Sequence, residues 1–320
     1  MLWQMIFWVG IFGISLAVLI QAANVFTKAA EHVGLYWRLP PFVIGVTIVS
    51  LGTTIPELSS AIVAVWRGAT EVVPANVIGS NIANIALVLG LAALITPYFK
   101  TSWQLIKAEL PILVGAVALT TLLLLDGVLA LPEAALLLAA YFMYLLITLA
   151  LRDKYRHHFH LPTLERRLII NWPKTIFKLL AAPAFIYLGA QFTVDALINI
   201  ATLAGLSTGL MGATLLAAGT SLPELTIAIQ ASRHGKPELA AGNVLGANIM
   251  NLLFIMGVAG LITPLTVSPA MITVGLPMML VVTALYFLVN RDRRITQKEG
   301  FFLVTLYVFF IAALVIFDFA

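Results

Sequence analysis

Two six-residue segments carry most of the chemistry in this chain: Gly52-Thr53-Thr54-Ile55-Pro56-Glu57 and Gly219-Thr220-Ser221-Leu222-Pro223-Glu224. Each sets two hydroxyls, a proline and a carboxylate inside an apolar run. Proline has no N–H to give the carbonyl four residues back, and its ring pushes that carbonyl aside. In hydrocarbon the freed carbonyl must find another partner, and a bound cation is a good one. Thr53 and Glu57 are four apart, which predicts that they share a helix face near the break. Each half-site is therefore expected to offer hydroxyl, carboxylate and loosened carbonyl oxygens. These hard ligands suit Na⁺, Ca²⁺ or Mg²⁺ and are poor for softer metals. An acidic side chain at the centre of a span costs about 2.5–3.5 kcal/mol, so two at matching depth argue for a bound ion. If they approach each other, their repulsion calls for a cation or a proton between them. The alternative is a pair of protonated or hydrogen-bonded glutamates bracing two kinks.

A second pair of segments follows each motif: Asn76-Val77-Ile78-Gly79-Ser80-Asn81-Ile82-Ala83-Asn84 and Asn243-Val244-Leu245-Gly246-Ala247-Asn248-Ile249-Met250-Asn251. Ser80 and Asn84 share a face at i, i+4, as do Ala247 and Asn251. Asn81 and Asn248 point elsewhere, which suits bridging between packed membrane helices as well as ion binding.

The elements that must position these groups are membrane spans. Of 320 residues, 61% are hydrophobic and 10% charged, with a mean hydropathy of +1.04. A soluble domain carries about a quarter charged residues. Runs of roughly 20 apolar residues are needed to cross a hydrocarbon core. Ten are predicted, at 4–27, 41–65, 72–95, 104–125, 128–150, 174–203, 208–232, 239–262, 268–290 and 300–318. The first cation is Lys28, so the N-terminus lacks a signal peptide's basic region and reads as a retained span. With both termini outside, every Lys and Arg among the 18 except Arg67 falls at a cytoplasmic end, a strong positive-inside signal. Trp3, Trp37, Trp66, Trp103 and Trp172 cluster near span ends, as an aromatic belt would.

The sequence also repeats itself. Gly45 to Pro97 aligns without a gap on Gly212 to Pro264, and about two dozen of those positions are identical, Gly, Pro, Asn and Glu among them. Shared apolar composition cannot align those four residue types together, so the chain is duplicated. Residues 1–151 form a first five-span half, 152–173 a cytoplasmic connection and 174–320 a second half. Five is odd, so the second half enters the membrane inverted. The predicted fold class is an all-α membrane protein of ten transmembrane helices in two inverted five-helix repeats. That is the architecture of many secondary transporters, in which broken helices meet near the midplane.

Other groups are weaker candidates. His157, His158 and His160 lie among arginines in the connecting loop, as expected of a headgroup-facing segment. Glu109 follows Lys107 at a span entrance, where interfacial pairing accounts for it. Glu133 and Asp195 fall near outer span ends, and Asp195 is a candidate for an entry funnel. Cysteine is absent, which excludes disulfides and thiolate sites. The modest charge of +4 is dispersed and gives nucleic-acid binding no support; the lipid bilayer and transported cations are the expected partners, with no required protein partner evident. An enzyme is disfavoured because no His-Glu-x-x-His, Gly-x-Ser-x-Gly or paired-aspartate motif accompanies the glutamates. A cation channel is disfavoured by the inverted repeat.

The two motifs, with their Gly-Ser-Asn and Gly-Ala-Asn segments, resemble the α-repeats of the sodium/calcium exchanger family, in its prokaryotic two-repeat form within the calcium/cation antiporters. The resemblance implies alternating access at a shared midplane site in an inner membrane. It also implies no cofactor, with transported Ca²⁺ and Na⁺ (or H⁺) as the ligands. Carried over by motif, the ligands are Thr53, Thr54, Glu57, Ser80 and Asn84 in the first half and Thr220, Ser221, Glu224 and Asn251 in the second. Glu57 and Glu224 become the central Ca²⁺ ligands, and hydroxyls with the carbonyls of Ser50 and Ala217 serve Na⁺. Two positions depart from the best-known pattern: Asn251 stands where an aspartate is typical, and Ala247 where a serine is. One charge and one hydroxyl are lost. Exchange of Ca²⁺ against Na⁺ is the leading expectation, and exchange against H⁺ is the alternative.

Overall fold

The protein is described here from a computed structural model covering residues 2–36, 50–96, 99–100, 109–150, 171–233, 237–290 and 294–318. Its elements are helical almost throughout. In chain order they begin with α1 (Leu2–Tyr36), α2 (Ser50–Thr53), α3 (Ile55–Trp66), α4 (Val72–Ile82), a π-helical turn π1 (Ala83–Leu89), α5 (Gly90–Ile95), α6 (Leu110–Leu123) and α7 (Leu131–Ala150). The second half contributes α8 (Trp172–Ala204), α9 (Thr208–Met211), π2 (Gly212–Leu216), α10 (Ala217–Thr220), α11 (Leu222–Arg233), α12 (Pro237–Met250), π3 (Asn251–Ile255), α13 (Met256–Ile262), π4 (Met271–Gly275), α14 (Leu276–Val289) and α15 (Gln297–Asp318). Four two-residue strands sit at helix ends: β1 (Phe99–Lys100), β2 (Val128–Leu129), β3 (Leu265–Thr266) and β4 (Arg294–Ile295).

Among the described residues, seven helices are long and apolar enough to cross a membrane. The pair Thr208–Thr220 and Leu222–Arg233, bent by 40°, makes an eighth if it is one broken span. The sequence predicts ten. Two of those, at 41–65 and 104–125, begin in residues outside the described ones; what is described of them is the short α2 and two shorter apolar helices, α3 and α6. The first span is longer than its predicted 4–27, because no proline follows before Pro40 to stop α1. Its counterpart α8 starts at an Asn171 cap, whose side-chain oxygen accepts from the Lys174 N–H at 3.2 Å, and stops at Gly205, where φ is +68°. A left-handed residue of this kind closes a helix without a Cβ penalty.

Inversion of the two halves is written into their contacts. Along α1 and α8, Ser15 meets Thr193, Leu19 meets Gly189, and Tyr36 stacks edge-on against Trp172 at 5.2 Å. Residue numbers rise along one helix as they fall along the other, so the two are antiparallel. The strands repeat the relation: β1 pairs antiparallel with β4, and β2 with β3. Each pair joins one half to the other, and exchanging the halves exchanges the pairs. Glycine crossings do the same, with Gly90 against Gly300 and Gly257 against Ala134 and Leu138.

Burial sorts the helices into a centre and a lipid-facing shell. Over their most apolar stretches, 78% of Val72–Ile95 and 72% of Ala240–Ile262 is buried, against 22% for Leu2–Ala30 and 28% for Gln297–Asp318. The outer helices turn Phe7, Phe142, Phe177, Leu180 and Phe309 outward, which is favourable against lipid and costly against water. Trp3, Trp66 and Trp172 are exposed at helix ends, as a belt requires; Trp37 and Trp103 lie outside the described residues, as do Lys107, His157, His158, His160 and residues 152–170 of the connecting loop.

The centre depends on close backbone approach. A Cβ at Gly79 would lie 2.8 Å from Ala213 Cα and 2.9 Å from its carbonyl carbon, so α4 crosses π2 where only glycine fits. Gly79→Val is expected to lower the stability of the detergent-purified protein by about 1–3 kcal/mol, the usual cost of overpacking. Gly10→Ala, with nothing within 4 Å of its new methyl, is expected to leave the melting temperature unchanged.

Candidate cation-binding site

The two proline-glutamate motifs break their helices in matching ways. Thr54, between α2 and α3, has φ −94° and ψ 3°; Ser221, between α10 and α11, has φ −80° and ψ 3°. Both sit in the sparsely populated bridge between the helical and extended regions, where active-site residues are often found. Pro56 and Pro223 lie in the first turn of α3 and α11, where their missing N–H is least harmful. The chain resumes its ladder at once, with Leu58 N–H donating to the Thr54 carbonyl at 3.0 Å and Leu225 N–H to that of Ser221 at 3.0 Å. Of the two carbonyls expected to serve Na⁺, that of Ala217 accepts from Ser221 N–H at 3.1 Å and keeps a second lone pair. Ser50 opens α2, and its side chain is not among those described.

Glu57 and Glu224 are buried, at 1% and 0% exposure, and near enough for their charges to act on each other. The sequence expects each glutamate beside the hydroxyl of its own motif. The fold crosses them instead: the Glu57 carboxyl lies by the Thr220 hydroxyl, and the Glu224 carboxyl by that of Thr53. The physical reason is the packing of the two inverted breaks against each other, which brings each carboxyl to a hydroxyl of the other half. These approaches do not amount to formed hydrogen bonds, for all four carboxylate oxygens are buried without a partner that satisfies distance and angle. Thr220 donates to the Leu216 carbonyl at 2.9 Å, which leaves its oxygen lone pairs for a cation.

The asparagine segments bracket this pair. Asn84 lies in π1, and Asn251 opens π3. A π turn widens the helix by one residue per hydrogen bond and recurs at functional sites. Asn84 Nδ2 donates to Asn248 Oδ1 at 2.9 Å, and Asn248 Nδ2 donates to the Asn81 carbonyl at 3.3 Å. Asn81 turns back on its own helix, donating to the Val77 carbonyl at 2.8 Å. Asn81 and Asn248 therefore brace α4, π1 and α12 in the described conformation. Ser80 Oγ, Ser221 Oγ, Asn84 Oδ1 and both polar atoms of Asn251 are buried with no hydrogen-bond partner. An uncompensated buried polar atom costs about 1–3 kcal/mol, so a set of them buried in the same bundle as two unbonded carboxylates fits a cation that supplies missing interactions. No group of three or more His, Cys, Asp or Glu occurs among the described residues; the donor set is hydroxyl, amide, carbonyl and two carboxylates.

One contact had no signal in the sequence. Thr54 Oγ1 donates to Met250 Sδ at 3.0 Å, across a separation of 196 residues. The weaker candidates also resolve differently. Asp195 is engaged by Arg67 in a two-point ion pair, Nε to Oδ1 at 2.6 Å and Nη2 to Oδ2 at 2.8 Å, which ties α8 to the end of α3. Glu109 is half-buried and accepts from the Tyr144 hydroxyl at 2.9 Å. Glu133 accepts from Ala130 N–H at 2.7 Å at the start of α7.

The family model described as sodium/calcium exchanger protein matches residues 7–150 and 174–316. The chain belongs to the sodium/calcium exchanger family. Relatives of similar length include the putative antiporter CaxA of Alkalimonas amylolytica, 31% identical over 92% of this chain and 94% of its own. Another is the sodium/calcium exchanger MaX1 of Methanosarcina acetivorans, 31% identical over 94% of this chain and 96% of its own. Among solved structures, the sodium-calcium exchanger NCX_Mj, soaked with Na⁺ and Sr²⁺, superposes with a TM-score of 0.66 at 26% identity, covering 96% of this chain and 99% of that one. This membership makes the chain a membrane transporter of cations rather than an enzyme.

Asn248 joins the two halves at the site through one accepted and one donated bond. Asn248→Leu is expected to strand the Asn84 amide and lower stability by about 1–3 kcal/mol, read as thermal unfolding in detergent. An unchanged melting temperature would show that the bridge carries no load.

Proposed function

We propose that this protein is a secondary active antiporter that exchanges Na⁺ for Ca²⁺ by alternating access. The shared site is formed by Thr53, Thr54, Glu57, Ser80 and Asn84 of one repeat and Thr220, Ser221, Glu224 and Asn251 of the other. The observation that carries this reading is the pair of buried carboxylates with four oxygens unbonded, one from each inverted half. Two like charges in an apolar interior are stable only with positive charge between them. One Ca²⁺ answers both at once, and so do monovalent cations arriving together. A site that must hold either load, never neither, is an obligate exchanger: the empty form, with its charges facing each other, is the one least able to reorient.

The chain in this reading crosses the membrane ten times with both termini outside. Residues 1–151 and 174–320 are the two five-helix halves, joined by 152–173 in the cytoplasm. The support is the positive-inside asymmetry, from which only Arg67 departs. Exchange against H⁺ is the competing form, favoured by the neutral Asn251 and the apolar Ala247 where the family pattern has an acid and a hydroxyl.

Calcium uptake into proteoliposomes separates the two. An imposed Na⁺ gradient is expected to drive uptake at uniform pH, and a pH gradient alone is not; uptake driven only by the pH gradient would assign the coupling ion to H⁺. Glu57→Gln and Glu224→Gln are each expected to reduce Ca²⁺ flux to background while the protein elutes as a folded species in detergent. Normal flux in either variant would remove the central claim.

A further inference from the structure

The two halves of the site match in ligand type at the break hydroxyls (Thr53 with Thr220, Thr54 with Ser221), the glutamates and the π-helical asparagines, and differ in it at Ser80 and Ala247. Ser80 carries a buried hydroxyl with no partner. Its repeat equivalent, Ala247, is fully buried and carries only a methyl. The first half therefore supplies the hydroxyls of Thr53, Thr54 and Ser80, and the second half those of Thr220 and Ser221. The fixed charge is equally countable. Among the acids of the described residues, Glu57 and Glu224 are the ones buried at the breaks. Asp195 is neutralised by Arg67 at the periphery, and Glu109 is held by Tyr144. Asn84 and Asn251 are neutral, and Asn251 has neither of its polar atoms bonded.

From this count we infer that the exchange is electroneutral: one divalent cation moves in one direction for two monovalent cations in the other. The inference rests on the reading that Glu57 and Glu224 hold the transported ions. Two carboxylates carry two negative charges. One divalent ion cancels them, and so do two monovalent ions, so both loaded forms cross the low-dielectric interior without net charge. A third monovalent ion would leave the site positive where charge is poorly screened. It would also need an oxygen on the second-repeat side, where Ala247 presents a methyl.

The test is a null-point measurement on the full-length protein in proteoliposomes, with the membrane potential clamped by K⁺ and valinomycin. At balance, a two-for-one exchanger makes the Ca²⁺ gradient the square of the Na⁺ gradient, whatever the voltage. A tenfold Na⁺ gradient is then expected to hold a Ca²⁺ gradient of about a hundredfold, unmoved when the potential is reversed. A gradient of about a thousandfold that shifts with voltage would overturn the proposal. The double variant Ala247→Ser/Asn251→Asp restores the hydroxyl and an acid, and it is expected to make the null point voltage-dependent. A double variant that keeps the parent ratio would overturn the assignment to these positions. Absence of flux under Na⁺ and pH gradients alike would sink the antiport reading itself, an outcome distinct from a wrong ratio. If only a pH gradient drives uptake, the same null point taken against H⁺ decides the ratio, with a square dependence supporting it and any voltage-dependent balance overturning it.

Discussion

Two carboxyl groups facing each other inside an apolar bundle set the terms for everything around them. Removing a carboxylate from water costs several kcal/mol even after the protein relaxes, and Glu57 and Glu224 are both removed from it without a hydrogen bond to any of their four oxygens. Such a pair is unstable alone. The remaining polar groups at the centre do not neutralise it; they are neutral hydroxyls and amides that can complete a cation's coordination.

Positioning that pair requires two broken helices to meet, and the inverted repeat is what brings them together. Antiparallel packing of α1 on α8, the exchanged strand pairs β1–β4 and β2–β3, and the glycine crossings at Gly79, Gly90 and Gly257 all join one half to the other. Each half alone would leave a proline break and a glutamate facing lipid. Burial follows accordingly: the asparagine helices are central, and the flanking helices expose their aromatic and leucine side chains.

The hydrogen bonds at the centre do not share the symmetry of the sequence. Asn84 donates to Asn248, and a strict two-fold would have Asn251 donate to Asn81. Asn81 instead bonds within its own helix, and Asn251 is left without a partner. Equivalent residues thus stand in unequal arrangements. Arg67 and Asp195 add a link at one end of the assembly, tying the peripheral α8 to the helix that carries Glu57.

Much of this was legible in the residues. Duplication, the membrane setting and the breaks at Pro56 and Pro223 are consequences of residue type and local spacing, which act within a turn or two of chain. The number of spans was less so: α3 and α6 are short as described, and apolar composition alone cannot fix where a helix starts. What tertiary structure alone decided is who faces whom. Local periodicity puts Thr53 beside Glu57, whereas the fold sets Thr53 by Glu224 and Thr220 by Glu57. It also joins Thr54 to Met250 and engages Asp195 with Arg67. No spacing rule reaches across such separations, because contacts between halves depend on how two inverted helix breaks pack, and that is set by the whole bundle rather than by either motif.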